Sequence, residues 1–183
     1  MKAASSFAMT FLLWMTTLLT AQEPEFPKPQ KEHQWLQQFV GEWESESEAS
    51  MGPGQPPLKC TGSAKTRMLG GFWVISEIRS EMPGTAIHAV QTIGYDTDAK
   101  KYTGTWVDSM INDMWKYQGS VDATGKILTL EADGPNFMLK GRLTKFRDVY
   151  EFKSKDHIVA TSLMLGEDGQ WIQFMIGHIR RKK

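Results

Sequence analysis

His33-Gln34-Trp35-Leu36-Gln37-Gln38-Phe39-Val40 runs into Gly41-Glu42-Trp43, and Trp43-Glu44-Ser45-Glu46-Ser47-Glu48-Ala49 follows. Trp35, Leu36, Phe39 and Val40 recur at helical spacing, so 33–40 reads as a short helix with one apolar stripe. Gly41 stops it. From Trp43 the period changes to two, with every second residue a glutamate, the pattern of a strand with one face in water. A helix leading through Gly-x-Trp into a first strand is how small antiparallel barrels close one end, with the indole as plug.

Downstream of Ala49 the punctuation is that of an all-β chain. Gly70-Gly71, Pro83-Gly84, Asp96-Thr97-Asp98, Asn112-Asp113, Asp122-Ala123-Thr124-Gly125, Asp133-Gly134-Pro135, Ser154-Lys155-Asp156 and Glu167-Asp168-Gly169 all read as turns. Gly52-Pro53-Gly54-Gln55-Pro56-Pro57 reads as a loop, either a lid over the barrel mouth or a long connection, and its prolines favour a fixed rim. About ten strands lie between them, near 43–50, 58–69, 72–82, 86–95, 101–110, 113–121, 127–132, 144–152, 157–165 and 170–180. Short connections imply an up-and-down antiparallel meander. Closing it removes the edges, so the expected fold is a closed barrel with the helix plugging one end.

The first 21 residues carry Lys2 and then an apolar run from Phe7 to Leu19, which reads as a secretory signal peptide too short to span a membrane, with an uncleaved N-terminal anchor as the alternative because Leu19 stands where a small residue is preferred before cleavage. Residues 22–32, with Pro24, Pro27 and Pro29, read as an extended linker, and 33–183 as one barrel domain. The expected location is therefore exported, periplasmic or extracellular, with no membrane span in the mature chain. Losing Lys2 leaves a formal charge of −1 without basic blocks, which offers nucleic acid no electrostatic footprint. The single cysteine, Cys60, excludes an intrachain disulfide. Packing must hold the barrel, and 7 Trp, 11 Met and 9 Phe supply the material.

Charges phase most of the strands. Outward glutamates turn Trp43, Ser45, Ser47 and Ala49 inward on the first, and Lys65 and Arg67 do the same for Cys60, Gly62, Ala64, Thr66 and Met68 on the second. Phe72, Val74, Ser76 and Ile78 follow on the third; Tyr102, Gly104, Trp106 and Asp108 on the fifth; Trp115 and Tyr117 on the sixth; Phe146, Asp148, Tyr150 and Phe152 on the eighth. On the last strand Gln173 is the one polar marker, and it puts Ile172, Phe174, Ile176 and His178 inward. Strands four and nine do not phase. One wall is thus small and the facing wall aromatic, an arrangement that leaves a lumen for a ligand.

The ordered set Gly41-Glu42-Trp43, Gly70-Gly71-Phe72-Trp73, Ile93-Gly94-Tyr95-Asp96, Lys101-Tyr102, Trp106-x-Asp108-Ser109 and Gly119-x3-Ala123-x-Gly125-Lys126 resembles the domain of unknown function 1579 family over 33–181. The resemblance implies a bacterial, often exported, lipocalin-like barrel without an assigned activity. The Gly-x-Trp entry is also similar to that of lipocalins and nitrobindin-like haem barrels. In lipocalins a basic residue after the last strand packs on the tryptophan, and Arg180 matches that position. The haem barrels place an axial histidine on the last strand, which makes His178 a candidate, though His33, His88, His157 and His178 lack zinc-site spacing and no metal or cofactor is expected.

The expected function is binding of a small, partly apolar molecule, without catalysis, in a lumen lined by Trp43, Phe72, Trp106, Asp108, Trp115, Tyr117, Tyr150 and His178. Gly41, Trp43 and Arg180 are the expected closure. Asp108 would orient a polar group, while Asp148, beside Arg147 and near a turn, reads as a rim residue. Two alternatives stand beside this: a barrel enzyme acting on a small substrate with Asp108 or His178 as acid or base, and an envelope interaction module whose barrel is filled by its large side chains and whose outer face presents Trp73 and Trp171. Cys60, with no basic neighbour, reads as an inert buried thiol.

Overall fold

The structure is a computed structural model and describes residues 26–50, 52, 55–137, 139 and 141–183. The stretch expected to be a signal peptide, the first part of the expected linker and the tip of the Gly52–Pro57 loop lie outside the described residues. Ten strands form one closed antiparallel barrel: β1 (Gly41–Ala49), β2 (Leu58–Leu69), β3 (Trp73–Met82), β4 (Thr85–Asp96), β5 (Lys101–Asp108), β6 (Trp115–Val121), β7 (Ile127–Pro135), β8 (Leu143–Ser154), β9 (His157–Leu165) and β10 (Trp171–Arg181). Each strand pairs with its sequence neighbours, and β1 closes on β10 with Trp43 opposite Arg181 and Ala49 opposite Met175. The outer face carries Glu44, Glu46, Glu48, Lys65, Arg67, Glu77, Arg79 and Glu81, all exposed, a wall made for water rather than acyl chains. Among the described residues no helix is long and apolar enough to cross a membrane.

The expected helix forms as one α-helical turn, α1 (Lys31–Trp35), and then tightens into a 3-10 turn over Leu36–Phe39. It begins two residues before the sequence places it. Its side chains cap its own start and tie it to the barrel. Buried His33 accepts from the Gln30 N–H at Nδ1 (3.0 Å) and donates from Nε2 to the Tyr95 carbonyl (3.1 Å), which requires the neutral Nε2–H tautomer. Trp35 Nε1 donates to the Gly125 carbonyl at 2.8 Å. That carbonyl is held in place by Asp122, whose carboxylate accepts from Thr124, Lys126 and Ile127 and is lowered by those bonds to about 2.

Trp43 is the floor. It is 3% exposed, and its Nε1 donates to the Phe39 carbonyl at 2.8 Å. Phe39 and Trp35 pack edge-on against Phe152, and Trp35 also against Tyr102, so the helix is glued to the barrel end by aromatic contacts. The basic residue on the indole is Arg181, with its guanidinium 4.1 Å from the ring centroid, and not Arg180 as the sequence suggests. Arg181 also donates to the carbonyls of Val40 (2.6 Å), Gln38 (3.2 Å) and Lys155 (3.0 Å) and to Asp156 Oδ1 (3.0 Å). Gly41 is required here twice over. Its φ is +134°, and a Cβ would stand 2.3 Å from Arg181 Nη1.

The one-residue error has a single cause, a β-bulge in β10. Gln173 opposes Leu163 and Met175 opposes Ser162, so Phe174 is the extra residue and the side-chain phase reverses after it. Met175, Gly177, Ile179 and Arg181 therefore face in, while Ile176, His178 and Arg180 face out, against the expectation for all three. The sequence hides the bulge because Phe174, Met175, Ile176 and Ile179 are apolar on both faces and Arg180 and Arg181 are adjacent.

Candidate functional site

Above the floor, the inner wall follows the expected phases on β1, β2, β5, β6 and β8. Register brings Tyr117 opposite Gly104, Trp106 opposite both Gln91 and Trp115, and Asp148 opposite Leu130 and Ser162. The two strands the charges leave unphased turn Ala89, Gln91, Ile93 and Tyr95, and Ile158, Ala160, Ser162 and Met164, inward. Several inward side chains are not sealed. Ser45, Ser47, Ala64, Trp106, Asp148, Tyr150 and Ala160 each keep solvent-accessible surface although they point into the barrel.

Asp148 is the unexpected centre of this interior. Far from the rim, it sits mid-strand with Tyr117 Oη donating to Oδ2 at 2.5 Å and Ser162 Oγ donating to Oδ1 at 2.6 Å. Burial raises its carboxyl above the ordinary aspartate range, and the two hydroxyls only partly offset that. Burial also raises the Tyr117 phenol well above its usual range, with Asp148, Tyr150 and Asp108 adding to the effect. Next to them Gln91, 4% exposed, donates from Nε2 to Tyr150 Oη at 2.9 Å, and Thr66 and Ser76 share a 2.8 Å hydrogen bond on the small wall. The sequence held one clue to Asp148: its phase was inward. Nearness to Arg147 argued for the rim, but Arg147 points outward, pairs with Glu131 at 2.5 Å and lies over Trp171 at 3.9 Å.

A raised pKa has a sign for stability. The folded state favours neutral Asp148, so its stabilising contribution is complete below the unfolded-state pKa near 4 and is lost as pH rises through the higher folded value. Asp148→Asn, which cannot ionise and whose two partners are hydroxyls able to turn and accept, should therefore melt at a higher temperature than the parent at pH 7. The gain should vanish at pH 3. A lower melting point at pH 7 would show that the carboxylate is a net stabiliser.

The other expected residues divide. Trp43, Trp106, Trp115, Tyr117 and Tyr150 do point inward. Asp108 is inward by phase but stands at the mouth, where Trp106 Nε1 donates to Oδ2 (2.8 Å) and the Met110 and Ile111 N–H groups donate to Oδ1 (2.7 and 3.1 Å). It shapes the β5–β6 loop. Phe72 is in the turn before β3 and packs edge-on against His33 at 5.1 Å, on the helix side of the barrel rather than in the lumen. His178 is exposed on the outer face, where its Nδ1 is 3.1 Å from His157 Nε2. The axial-ligand role offered by the haem-barrel resemblance is thus closed to it, and so is acid–base work in the lumen. His157 itself is held below the ordinary imidazole range by partial burial and by Arg180, His178 and Lys153. His88 is exposed on the outer wall. Cys60 is 6% exposed, consistent with an inert thiol.

The open end is apolar. Trp115 lies across Gly134, where a Cβ would fall 1.9 Å from the indole, and meets Phe146 edge-on at 4.5 Å. Phe137 reaches over from the β7–β8 loop onto Phe174 at 5.2 Å while remaining 58% exposed. Met110, Met114, Leu143 and Ile172 are exposed around the same rim. Of the two outward tryptophans, Trp73 lies over Gly94 on the outer wall and Trp171 lies under Arg147 at the mouth end. The two stand at opposite ends of the barrel and form no common patch.

A family model described as "Protein of unknown function (DUF1579)" matches residues 28–181. The chain belongs to this family. No curated protein matches it. Among solved structures, DUF1579 architecture as seen here is similar to Rv2717c from M. tuberculosis, with a TM-score of 0.64 at 11% identity over 85% of this chain and 100% of that one. It is similar also to the S-type phycobiliprotein lyase CPES from Guillardia theta, with a TM-score of 0.56 at 12% identity over 85% and 99%. At these identities the likeness is one of fold.

Proposed function

We propose that this DUF1579 protein is exported and binds a small, partly apolar molecule in its barrel lumen without transforming it. The observation that carries the proposal is the accessible surface on inward-facing Ser45, Ser47, Trp106, Asp148, Tyr150 and Ala160 above a floor sealed by Trp43. An apolar rim at the opposite end supplies a route of entry, and a few fixed polar groups among aromatic walls are the usual make-up of a ligand site. Export rests on the sequence of the first 21 residues.

Titration with Nile red, a neutral apolar dye, followed by its emission, tests the lumen directly. The parent should bind it, and Ala160→Trp should abolish binding while leaving the melting temperature within a few degrees, because the new side chain fills lumen space between Tyr150 and Gly177. Unchanged dye binding in a folded Ala160→Trp variant would remove the lumen as the site. Native mass spectrometry of the protein purified from its own host would then name the resident molecule.

One observation favours a second reading. Asp148 and Tyr117 are two titratable groups in contact, both shifted, as in an acid–base pair. Asp108 and His178, the residues the sequence offered for catalysis, do not form such a pair. Loss of turnover in Asp148→Asn with retained binding of the native molecule would favour chemistry over carriage.

A further inference from the structure

The charge of the lumen is one-sided. Among the described residues, the charged side chains that face inward are Asp108, Asp148 and Arg181. Arg181 lies against the Trp43 indole at the closed end, and its donors are spent on Val40, Gln38, Lys155 and Asp156. Above the floor, among the described residues, only the two carboxylates remain, with no described lysine, arginine or histidine on an inward strand position facing them. The nearby cations are spent on the outer face: Arg147 on Glu131 and Lys145 on Asp133.

Asp108 is committed to its loop, but Asp148 is not exhausted. A carboxylate has about four lone-pair positions, and Tyr117 and Ser162 take two. Asp148 as a whole residue is partly rather than fully buried. Trp106 and Trp115, also partly accessible, stand on the adjoining wall. A buried carboxylate without a counter-charge is costly to keep, and a bound cation would relieve that cost. Aromatic faces add attraction for the same cation. An anionic head would meet the opposite among the described residues: two carboxylates and no inward cation above the floor.

We propose that the lumen selects by charge, accepting amphiphiles with an amine or other cationic head, which Asp148 receives, and rejecting carboxylates of the same length. This rests on the lumen-binding reading above.

The test is displacement of Nile red at pH 7.5 by decylamine, decanol and decanoate, each below its micellar concentration. Decylamine should displace at a concentration about tenfold or more below that of decanoate, as expected for one hydrogen bond to a charged partner, with decanol between them. In Asp148→Asn, its fold checked by near-ultraviolet circular dichroism, the ratio of decanoate to decylamine should fall toward one. Equal displacement by amine and carboxylate in the parent overturns charge selection while leaving lumen binding intact. A ratio that persists in Asp148→Asn overturns the assignment to Asp148. Absence of Nile red binding by the parent overturns the lumen reading and this one with it.

Discussion

Trp43→Ala is expected to lower the free energy of unfolding by about 3–5 kcal/mol, the range of large aromatic truncations in a core. The indole is 3% exposed and donates to Phe39 at 2.8 Å, so truncation opens a cavity under the lumen and leaves that carbonyl without its donor. It also removes the surface on which Arg181 stacks. Urea unfolding followed by circular dichroism would read the effect as a lower midpoint with little change in slope. A midpoint within the error of the parent would mean that the floor is held by the helix and not by the indole. Because the lumen sits on this floor, Nile red binding should weaken in the same variant.

The second large effect separates two adjacent arginines. Arg181→Ala should cost about 2–3 kcal/mol, since it removes a cation–π contact and charge-assisted hydrogen bonds to carbonyls that end the 3-10 turn. Arg180→Ala, on the exposed outer face, should change stability by no more than about 0.5 kcal/mol. Thermal melts of the two variants side by side decide it. Equal losses, or a larger loss for Arg180→Ala, would place the β10 bulge elsewhere. The comparison is sharp because the two side chains differ by one position and face opposite sides of one strand.

Much of the site was legible in alternation. Glu44, Glu46 and Glu48 on one side of β1, and Lys65 and Arg67 on one side of β2, leave Ser45, Ser47, Gly62 and Ala64 no face but the inner one. The same logic found Trp106, Trp115, Tyr117 and Tyr150. It also turned Asp148 inward, and the misreading came when an adjacent arginine was allowed to outweigh the phase. Neighbours in sequence point to opposite faces of a strand, so Arg147 could not have been its partner. The true partners, Tyr117 and Ser162, are 31 and 14 residues away and meet Asp148 only through the registers of β6 to β9.

The amino-acid order by itself determined the class of fold, the number of strands, the closure at Trp43 and most of the inner wall. These follow from local rules, since charge alternation, turn residues and a helix-stopping glycine act within a few positions. Where the phase of β10 reverses emerges only when the strands pair, and with it come the exchange of Arg180 for Arg181 and the expulsion of His178 to the outer face. A bulge is a property of a pair of strands. Its cost and its place depend on how β10 must twist to meet β9 on one side and β1 on the other, which no residue of β10 carries alone.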